Sequence, residues 1–396
     1  MRTDTLLATT GRGLAKKAGV VNPPVYHAST VLFPSLADMR IAQQDTAKNF
    51  VYGRNGTPST FALEEALAAI EGGDRAIACP SGMSAIAIAL MAVVQAGDHL
   101  LVVDTVYDPA RIFLTHTLQR FGVAVTYYPP SMGADIATLI RPETKAILCE
   151  SPGSHSFEVQ DIPAIAAAAH AKGVIVMLDN TWATPLYFRP FDHGVDVSLQ
   201  AATKYIVGHS DCEMGAIICT DAVFPAIKSQ AMRLGTCVGP DDAYLTLRGL
   251  RTLSARMPRH QETGLQLARW LQQQPEVAAV LHPALPGSPG HTLWKRDFRG
   301  TSGLFGAVFH PGISEAAIAA LVDHRRYFGI GFSWGGFESL MLPTNPRKVH
   351  PLTPWPYDGP SIRLHAGLED PRDLIADLED GFSLLRTVMA DAGTAA

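Results

Sequence analysis

Short, continuous apolar runs between residues 76 and 220 constrain the fold of this chain more than any other feature. They are AIACP (76–80), HLLVVD (99–104), TYYPP (126–130), KAILCE (145–150), VIVMLD (174–179), DVSLQA (196–201) and GAIICT (215–220). Several contain β-branched residues, and helical stretches such as IPAIAAAAHAKG (162–173) separate most of them. Strands that are buried on both faces have this pattern. The sequence therefore predicts an α/β fold with a mostly parallel sheet that is wrapped by helices.

The pattern changes along the chain and predicts three regions. Residues 1–60 are rich in Pro, Thr, Gly and Asn and lack sustained periodicity, as in VNPPVYHAST (21–30). Such a segment is expected to be an arm that packs against another subunit. Residues 61–255 contain the alternating strands and helices of the large domain. Residues 256–396 mix amphipathic helices such as SEAAIAALVD (314–323) with short strands, which indicates a smaller C-terminal α+β domain.

Charge and composition exclude several classes of protein. The net charge is −5 and the basic residues are scattered, which gives no support for a nucleic acid or an anionic membrane as partner. The longest apolar segment, AIAIALMAVV (85–94), is shorter than the roughly 20 residues that span a bilayer. The N-terminus lacks the apolar core of an export signal. The 5 cysteines and 14 histidines show no metal-ligand spacing, so we expect reduced thiols, no metal and a cytoplasmic protein.

Polar groups follow several predicted strands, at the edge where ligands collect in such sheets. Ser81-Gly82-Met83 stands between a strand and a helix, where N–H groups and the helix dipole favour a phosphate. Simple helix capping has the same pattern. Tyr107 follows HLLVVD and can lie flat on a planar ligand, or be an ordinary core or surface tyrosine. Asp179 ends VIVMLD and needs a cationic partner or several hydrogen bonds if it is buried.

Lys204 lies in the apolar, glycine-containing stretch QAATKYIVGHSD (200–211). Removal from water lowers the pKa of a lysine, as Schiff-base chemistry requires. A lysine nucleophile, a buried carboxylate, an aromatic ring and a phosphate-binding helix start match the aldehyde, pyridine nitrogen, ring and phosphate of pyridoxal phosphate. The alternatives are a structural lysine in an unrelated sugar- or nucleotide-binding domain, and a regulatory module that binds the cofactor without catalysis.

The motifs around these residues resemble those of the Cys/Met-metabolism family of pyridoxal-phosphate enzymes. They are YGRNGTPS (52–59), CPSGMSAI (79–86), DNTWATP (179–185) and QAATKYIVGHSD (200–211), in the family's order over nearly the whole chain. The resemblance implies the type I aminotransferase-like fold, with residues 61–255 as the PLP-binding domain. ESPGS (150–154), FSWGGFESL (332–340) and IRLHAGLED (362–370) are most similar to the bacterial members that act by β-elimination.

The resemblance also implies cofactor-binding residues. The motif lysine, Lys204, would form the covalent link, Asp179 would keep the pyridine nitrogen protonated, and Tyr107 would stack on the ring. The implied phosphate ligands are Gly82, Met83, Thr203 and, from the neighbouring subunit, Tyr52 and Arg54. The resemblance therefore implies active sites at a dimer interface, usually in a homotetramer that is a dimer of dimers. Ala201 and Ala202 depart from the family, because many relatives carry a serine there.

The expected substrate is a small amino acid. The resemblance implies that Arg363 would bind the α-carboxylate of the substrate with help from Ser333, and that Trp334 would form a wall of the pocket. Asn55 follows Arg54 where some β-lyases have a second basic residue, so recognition of the distal end of a long substrate is less defined.

The resemblance implies β-elimination, with L-cystathionine giving homocysteine, pyruvate and ammonia on the route to methionine. Some γ-acting relatives have an acidic residue at the position of Phe332, and an apolar wall there suits β-elimination. The remaining alternatives are a cystathionine γ-lyase, a γ-synthase, a methionine γ-lyase and a broad lyase for cysteine S-conjugates.

Overall fold

The computed structural model describes residues 1–46, 49–349, 351–352 and 355–394. Every predicted apolar run forms a strand of one large sheet, with boundaries that differ by at most two residues. The strands are β1 (Arg75–Cys79), β2 (His99–Val103), β3 (Ala124–Tyr128), β4 (Thr144–Glu150), β5 (Ile175–Asp179), β6 (Val197–Gln200) and β7 (Gly215–Cys219). Most of their residues are buried, as the continuous apolar runs require.

The order of the large sheet is β1-β7-β6-β5-β4-β2-β3. The pairs β2–β3, β2–β4, β4–β5 and β5–β6 are parallel, whereas β7 is antiparallel to both of its neighbours. Since β7 reverses direction between them, β1 runs the same way as β6. The carboxyl ends of β1, β2, β4, β5 and β6 therefore lie at one edge, and the predicted mostly parallel α/β sheet is confirmed.

Helices begin and end where local sequence dictates. The helices are α1 (Thr3–Thr9), α2 (Gly13–Ala18), α3 (Leu36–Gln43), α4 (Pro58–Glu71), α5 (Gly82–Val93), α6 (Asp108–Phe113), α7 (Ile162–His170), α8 (Thr184–Tyr187), α9 (Phe224–Arg233), α10 (Pro240–Arg251), α11 (Leu253–Leu271), α12 (His291–Asp297), α13 (Glu315–Val322), α14 (Pro346–Val349) and α15 (Pro371–Thr394). Helix α5 starts with a reciprocal capping box between Ser81 and Ser84. Helix α4 has Pro58 in its first turn and ends at Gly72, whose φ of +89° favours glycine.

A second, antiparallel sheet lies in the C-terminal part. Its order is β10 (Leu340–Thr344), β11 (Ser361–His365), β9 (Leu304–Phe309) and β8 (Val277–Leu281). Helices α11, α13 and α15 contribute to its separate apolar core, which includes Phe305, Phe309 and Phe382. Helix α11 begins at Leu253, within one turn of the boundary that the sequence suggests between the two larger regions.

The N-terminal region contains helices that the sequence did not predict. Leu7 of α1 is 1% exposed, and the Arg251 guanidinium donates to the Leu7 and Thr10 carbonyls at 2.5 and 2.6 Å. By contrast, α3 buries no residue, and Leu36 and Ile41 on it are exposed. Helix α1 is therefore held by contacts within its own chain, whereas α3 exposes apolar side chains on the surface of the chain.

Three observations concern the described residues as a whole. No helix among them is both long and apolar enough to cross a membrane. No group of three or more His, Cys, Asp or Glu side chains in those ranges could hold a metal ion. All five cysteines are free thiols, and Cys237 is the exposed one.

Candidate active site

The predicted cofactor residues of the large domain meet at the carboxyl edge of the large sheet. Gly82 follows β1, Tyr107 follows β2, Asp179 ends β5, and Lys204 comes after β6. Asp179 lies close enough to both Tyr107 and Lys204 to affect their ionisation. The parallel arrangement of these strands thus brings together residues that are up to about 120 positions apart in the sequence.

The Lys204 amine is mostly withdrawn from solvent. Burial lowers its pKa to about 8; Glu213 and Asp179 oppose this shift, whereas Arg363 adds to it. Its Nζ donates a hydrogen bond to Ser333 Oγ at 2.5 Å, and the centroid of the Trp334 ring is 5.6 Å away. The hydrogen bond to Ser333 therefore fixes the orientation of the amine, and its lowered pKa makes the neutral form accessible just above neutral pH.

Asp179 has neutral partners only among the hydrogen bonds of the described residues. Its Oδ1 accepts from the Thr181 N–H at 3.0 Å and from the Thr181 hydroxyl at 2.5 Å. Burial raises the pKa of Asp179, and the two bonds from Thr181 and the charge of Lys204 oppose that shift. Such a carboxylate is stabilised by a cationic N–H donor in the pocket.

Tyr107 stands at the entrance of α6 with its side chain 42% exposed. Its N–H donates to Glu150 Oε2 at 2.7 Å. Glu150 ends β4 and lies directly opposite Asp179 in the sheet register. Burial raises the pKa of Glu150 well above its usual value, and the charge of Asp179 adds to that shift.

The start of α5 forms a cradle for an anion. Ser81 Oγ caps the Ser84 N–H, and within the described ranges the N–H groups of Gly82 and Met83 have no acceptor. A Cβ on Gly82 would lie 2.5 Å from the Ala201 Cβ, so small residues at both positions bring α5 against the end of β6. This packing requires a small side chain at Ala201, which is one of the two alanines that depart from the family.

The Thr203 hydroxyl, which was predicted to bind the phosphate, is engaged by protein groups. Its Oγ1 accepts from the Met214 N–H at 2.8 Å and lies 3.1 Å from the Met214 carbonyl and 3.2 Å from Glu213 Oε2. The hydroxyl therefore has protein partners on its own chain.

The predicted substrate residues reach the same place from the C-terminal part. Arg363, on β11, donates to the Ser333 carbonyl at 3.2 Å and lies near Tyr107 and Lys204. Trp334 packs against Tyr205 with ring centroids 5.5 Å apart. Ser333, Trp334 and Arg363 are thus brought to Lys204.

Phe332 does not form the apolar wall that the sequence suggested. Its side chain is 93% exposed in this chain. The next residue, Ser333, has φ of +88°, and this turn directs the Ser333 hydroxyl to Lys204 while Phe332 stays in solvent. The preference for β-elimination therefore cannot rest on Phe332.

Tyr52 and Arg54 do not join this cluster. Tyr52 is 43% exposed and its hydroxyl is 3.5 Å from Ser29 Oγ, while the Arg54 guanidinium donates to the Met232 carbonyl at 3.1 Å. Nothing in one chain brings either side chain to Lys204 among the contacts of the described residues. A role at a neighbouring chain's site remains a prediction.

Two residues with buried carboxyl groups behind the site, Glu71 and Glu150, were missed from the sequence. Glu71, at the end of α4, accepts hydrogen bonds from Asn180, Ser198 and Gln200, and so links the ends of β5 and β6. Glu150 had a visible signal, because it ends an apolar run just as Asp179 does. Glu71 had none, since its partners are more than 100 residues away.

The site fits pyridoxal phosphate by its chemistry. Lys204 offers a deprotonatable amine, Asp179 a buried carboxylate that lacks a cationic hydrogen-bond partner among the described residues, and Tyr107 an accessible ring. The free N–H groups at the start of α5 suit a phosphate. Fold and site together define a pyridoxal-phosphate-dependent enzyme of the type I fold.

Comparisons with known proteins agree with this class. The family model described as Cys/Met metabolism PLP-dependent enzyme matches residues 4–383. A putative cystathionine beta-lyase of Rhizobium johnstonii is 51% identical over 93% of both chains, and the cystathionine beta-lyase of Escherichia coli is 42% identical over 96% of this chain and 98% of its own. An L-alanine/L-glutamate racemase of Wolbachia pipientis is 40% identical over 99% of this chain and 100% of its own.

Solved structures also agree. The crystal structure of a cystathionine gamma synthase from Xanthomonas oryzae pv. oryzae has a TM-score of 0.88 and 31% identity, covering 98% of this chain and 99% of that one. The chain belongs to the Cys/Met metabolism family of PLP-dependent enzymes.

Proposed function

We propose that the chain is a carbon–sulfur β-lyase that converts L-cystathionine and water to homocysteine, pyruvate and ammonia. The observation that carries this proposal is the Lys204 amine, which has a pKa of about 8 and is bonded to Ser333 beside Arg363 and Asp179. A base of this pKa removes a Cα proton efficiently near neutral pH. The names of the relatives at 51% and 42% identity support β-elimination as the outcome.

Pyridoxal phosphate, when bound, supplies an aldehyde for an amino group and a ring that withdraws electrons from Cα. We assign Lys204 as the residue that holds it covalently. Asp179 would keep a proton on the ring nitrogen, and the Tyr107 ring would stack on the cofactor. The N–H groups of Gly82 and Met83 would bind the phosphate, and the hydroxyl of Thr203 would contribute there only if it leaves Met214.

The remaining residues act on the substrate. Arg363 binds the α-carboxylate through its planar guanidinium, and Trp334 limits the pocket beside it. The neutral amine of Lys204 accepts the Cα proton, while Ser333 orients that amine. The Cβ–S bond then breaks, and sulfur leaves with the bonding electrons as the thiolate of homocysteine, which becomes the thiol by taking up a proton such as the one now on Lys204. Water converts the three-carbon remainder to pyruvate and ammonia.

The proposal includes an assembly and a setting. Residues 1–60 form an arm whose Tyr52 and Arg54 reach the phosphate site of a neighbouring chain, residues 61–255 bind the cofactor, and residues 256–396 form the second domain. Pairs of chains share two sites, and two pairs form a homotetramer. The apolar side chains exposed on α3 support a protein partner for the arm. We place the enzyme in the cytoplasm, where its free thiols suit reducing conditions and homocysteine serves methionine biosynthesis.

The test is to incubate the purified holoenzyme with L-cystathionine and to identify the keto acid and the thiol. We expect pyruvate and homocysteine in equal amounts. 2-Oxobutyrate with cysteine would identify a γ-lyase and overturn the proposal. The K204A variant is the control, because it should keep some cofactor yet lose roughly 1,000-fold or more in turnover.

Racemisation of alanine or glutamate is a second candidate, because the Wolbachia relative with that name spans the full chain. It uses the same Cα proton removal by Lys204 and differs in returning a proton instead of losing sulfur. Chiral analysis of L-alanine and L-glutamate after incubation separates the two. Under the β-lyase proposal, kcat/KM for racemisation is at least 100-fold below that for cystathionine cleavage.

A further inference from the structure

Two histidines lie behind Lys204, and the reaction above uses neither. His260 belongs to α11 and His365 ends β11; their ring centroids are 5.4 Å apart, and both pack against the Tyr205 ring. Both side chains are buried. They differ in what they bind, and this difference separates a packing residue from a positioning one.

His365 is fixed in one tautomer. Its Nδ1 lies 3.0 Å from the Glu338 carbonyl, which can only accept, and its Nε2 accepts the Gly335 N–H at 3.0 Å. Only a neutral ring with its proton on Nδ1 makes both bonds. Burial lowers the pKa of this ring well below its usual value, and His260, Arg363 and Lys204 act in the same direction. The acceptor at Nε2 is therefore present throughout the working pH range.

The segment that His365 holds, residues 333–336, lies directly on the backbone of Lys204. A Cβ on Gly335 would be 2.7 Å from the Tyr205 nitrogen and 2.8 Å from the Lys204 carbonyl carbon. Both Ser333 and Gly335 have φ of +88°. For Ser333 this left-handed conformation is strained, so the segment keeps it only if other contacts hold it there.

Besides the packing of Trp334 on Tyr205, three side chains among the described residues hydrogen-bond the 333–336 segment. Lys204 Nζ bonds Ser333 Oγ, the Arg363 guanidinium bonds the Ser333 carbonyl, and His365 Nε2 accepts the Gly335 N–H. The first two come from groups that also act on cofactor and substrate in the proposed reaction. Of these three bonds, the one from His365 comes from a side chain without such a second task.

We infer that His365 is a positioning residue that holds the 333–336 segment against Lys204, and so keeps the Ser333 hydroxyl and the Trp334 ring at the amine. The hydrogen bonds of His365 do not depend on which reaction the chain catalyses. Only the kinetic consequence of this role rests on the proposed function. His260 binds the Ala366 carbonyl at 2.8 Å and, within the described part of the chain, makes no hydrogen bond to the segment, so we assign it no such role.

The first test measures the segment itself in the holoenzyme. H365Q carries an acceptor near the position of Nε2, whereas the shorter H365N can reach Glu338 but not Gly335. Hydrogen–deuterium exchange of the peptide covering residues 333–337 should rise at least tenfold in H365N and stay within about threefold of the original in H365Q. H260Q, which alters the neighbouring ring, should leave this exchange unchanged. Equal exchange in H365N and H365Q, or the same rise in H260Q, would overturn the inference.

The second test follows the consequence for Lys204. H365N should lower kcat for cystathionine by about tenfold or more, H365Q should restore most of it, and thermal unfolding of the two should be similar. In an S333A background the further loss from H365N should shrink to less than about threefold, because the effect through Ser333 is already lost and only the effect through Trp334 remains. Additive losses would contradict the inference. If the chain had no activity on cystathionine, only the proposed function would be refuted, because the hydrogen–deuterium exchange experiment does not depend on that activity.

Discussion

Lys204 must satisfy two requirements that conflict in water. It must be unprotonated to react with an aldehyde or to accept a Cα proton, yet an exposed lysine has a pKa of about 10.4. Burial solves this by disfavouring the ammonium, and the guanidinium of Arg363 adds repulsion. The same arginine is suited to bind substrate carboxylate, so substrate binding and base strength are coupled through one cation.

This coupling predicts how Lys204 titrates. In the cofactor-free chain, competitive acetylation of Lys204, read by mass spectrometry against Nα-acetyl-lysine, should reach half its maximum near pH 8. Replacing Arg363 by methionine removes a nearby positive charge, so the midpoint should rise. D179N removes a negative charge and should lower it. A midpoint near pH 10 in the unmodified chain, or shifts of the opposite sign, would contradict this account.

Glu150 and Asp179 are two carboxyl groups side by side at the ends of β4 and β5. Both have a raised pKa because of burial, and Glu150 is raised further by the charge of its neighbour. Because the charge of Asp179 disfavours a charge on Glu150, the two groups are not expected to be ionised together. Asp179 has two donors from Thr181 to stabilise its charge, so we expect Glu150 to hold the proton and to fix the Tyr107 backbone as a neutral acceptor.

A neutral Glu150 predicts that E150Q is tolerated. The amide keeps the shape of the acid and an oxygen for the Tyr107 N–H, so the cofactor dissociation constant should stay within about threefold. E150A leaves that N–H without its acceptor, at a cost of about 1–3 kcal/mol, and should weaken cofactor binding roughly tenfold or more. Fluorescence titration of the cofactor-free variants measures both. If E150Q binds as weakly as E150A, Glu150 is ionised.

The sequence could predict the site residues whose surroundings are local. Asp179 ends an apolar strand and Lys204 follows the next one, so their chemical setting is visible in the neighbouring letters. The bond from Lys204 to Ser333 joins residues 129 positions apart, and only the docking of the two parts of the chain creates it. Phe332 was misjudged for the opposite reason. Its apolar side chain suggested a wall of the pocket, but the turn at Ser333 leaves that side chain exposed in the single chain.

At the scale of elements, α5 and the end of β6 form one unit. Gly82 is the first residue of α5, and Ala201 directly follows β6. Their close approach places the phosphate cradle next to the segment that carries Lys204. A larger side chain at either position must separate them, so the distance between the phosphate site and the amine is set by two small residues.

This unit predicts that G82A weakens cofactor binding while the fold persists. The new Cβ would lie 2.5 Å from the Ala201 Cβ and 2.9 Å from its Cα, so α5 must move outward. We expect the cofactor dissociation constant to rise about tenfold or more, measured by absorbance titration, with little change in the circular dichroism of the cofactor-free chain. G13A is the matched control, because Gly13 also begins a helix and its Cβ would meet nothing within 4 Å. Equal binding by G82A and G13A would refute the steric argument.

The strands were predictable and the N-terminal helices were not, for one physical reason. A strand buried on both faces needs a short apolar run, and each of the seven runs of that kind became a strand, whereas the longer run AIAIALMAVV (85–94) lies mostly in α5. Helix α1 spans only Thr3–Thr9 and buries Leu7, while its end is fixed by Arg251 from far along the chain. A seven-residue helix has too few positions to show a period, so tertiary contacts decide its structure.

At the scale of the whole molecule, one chain does not bring all predicted phosphate ligands together. Gly82 lies against Ala201, three residues before Lys204, whereas Arg54 bonds the Met232 carbonyl and Tyr52 is partly exposed. A symmetric pair would resolve this, because each arm could reach the other chain's site while receiving the partner's arm in return. Sites built this way contain Lys204 from one chain and Arg54 from the other.

Shared sites predict that two defective chains repair each other. R54A and K204A homomers should each have strongly reduced activity. In a mixed pair, one site combines both defects, while the other has an intact Lys204 and receives an intact Arg54. Random co-expression should therefore restore about a quarter of the original kcat, since half of the pairs are mixed and each has one intact site.

The matched control is co-expression of D179A with K204A, because both residues belong to the same chain's part of the site. That mixture has no intact site and should stay inactive. If R54A and K204A also fail to restore activity while size-exclusion chromatography shows mixed oligomers, Arg54 acts within its own chain. The arm would then have to fold back from its position at Met232 to serve its own site.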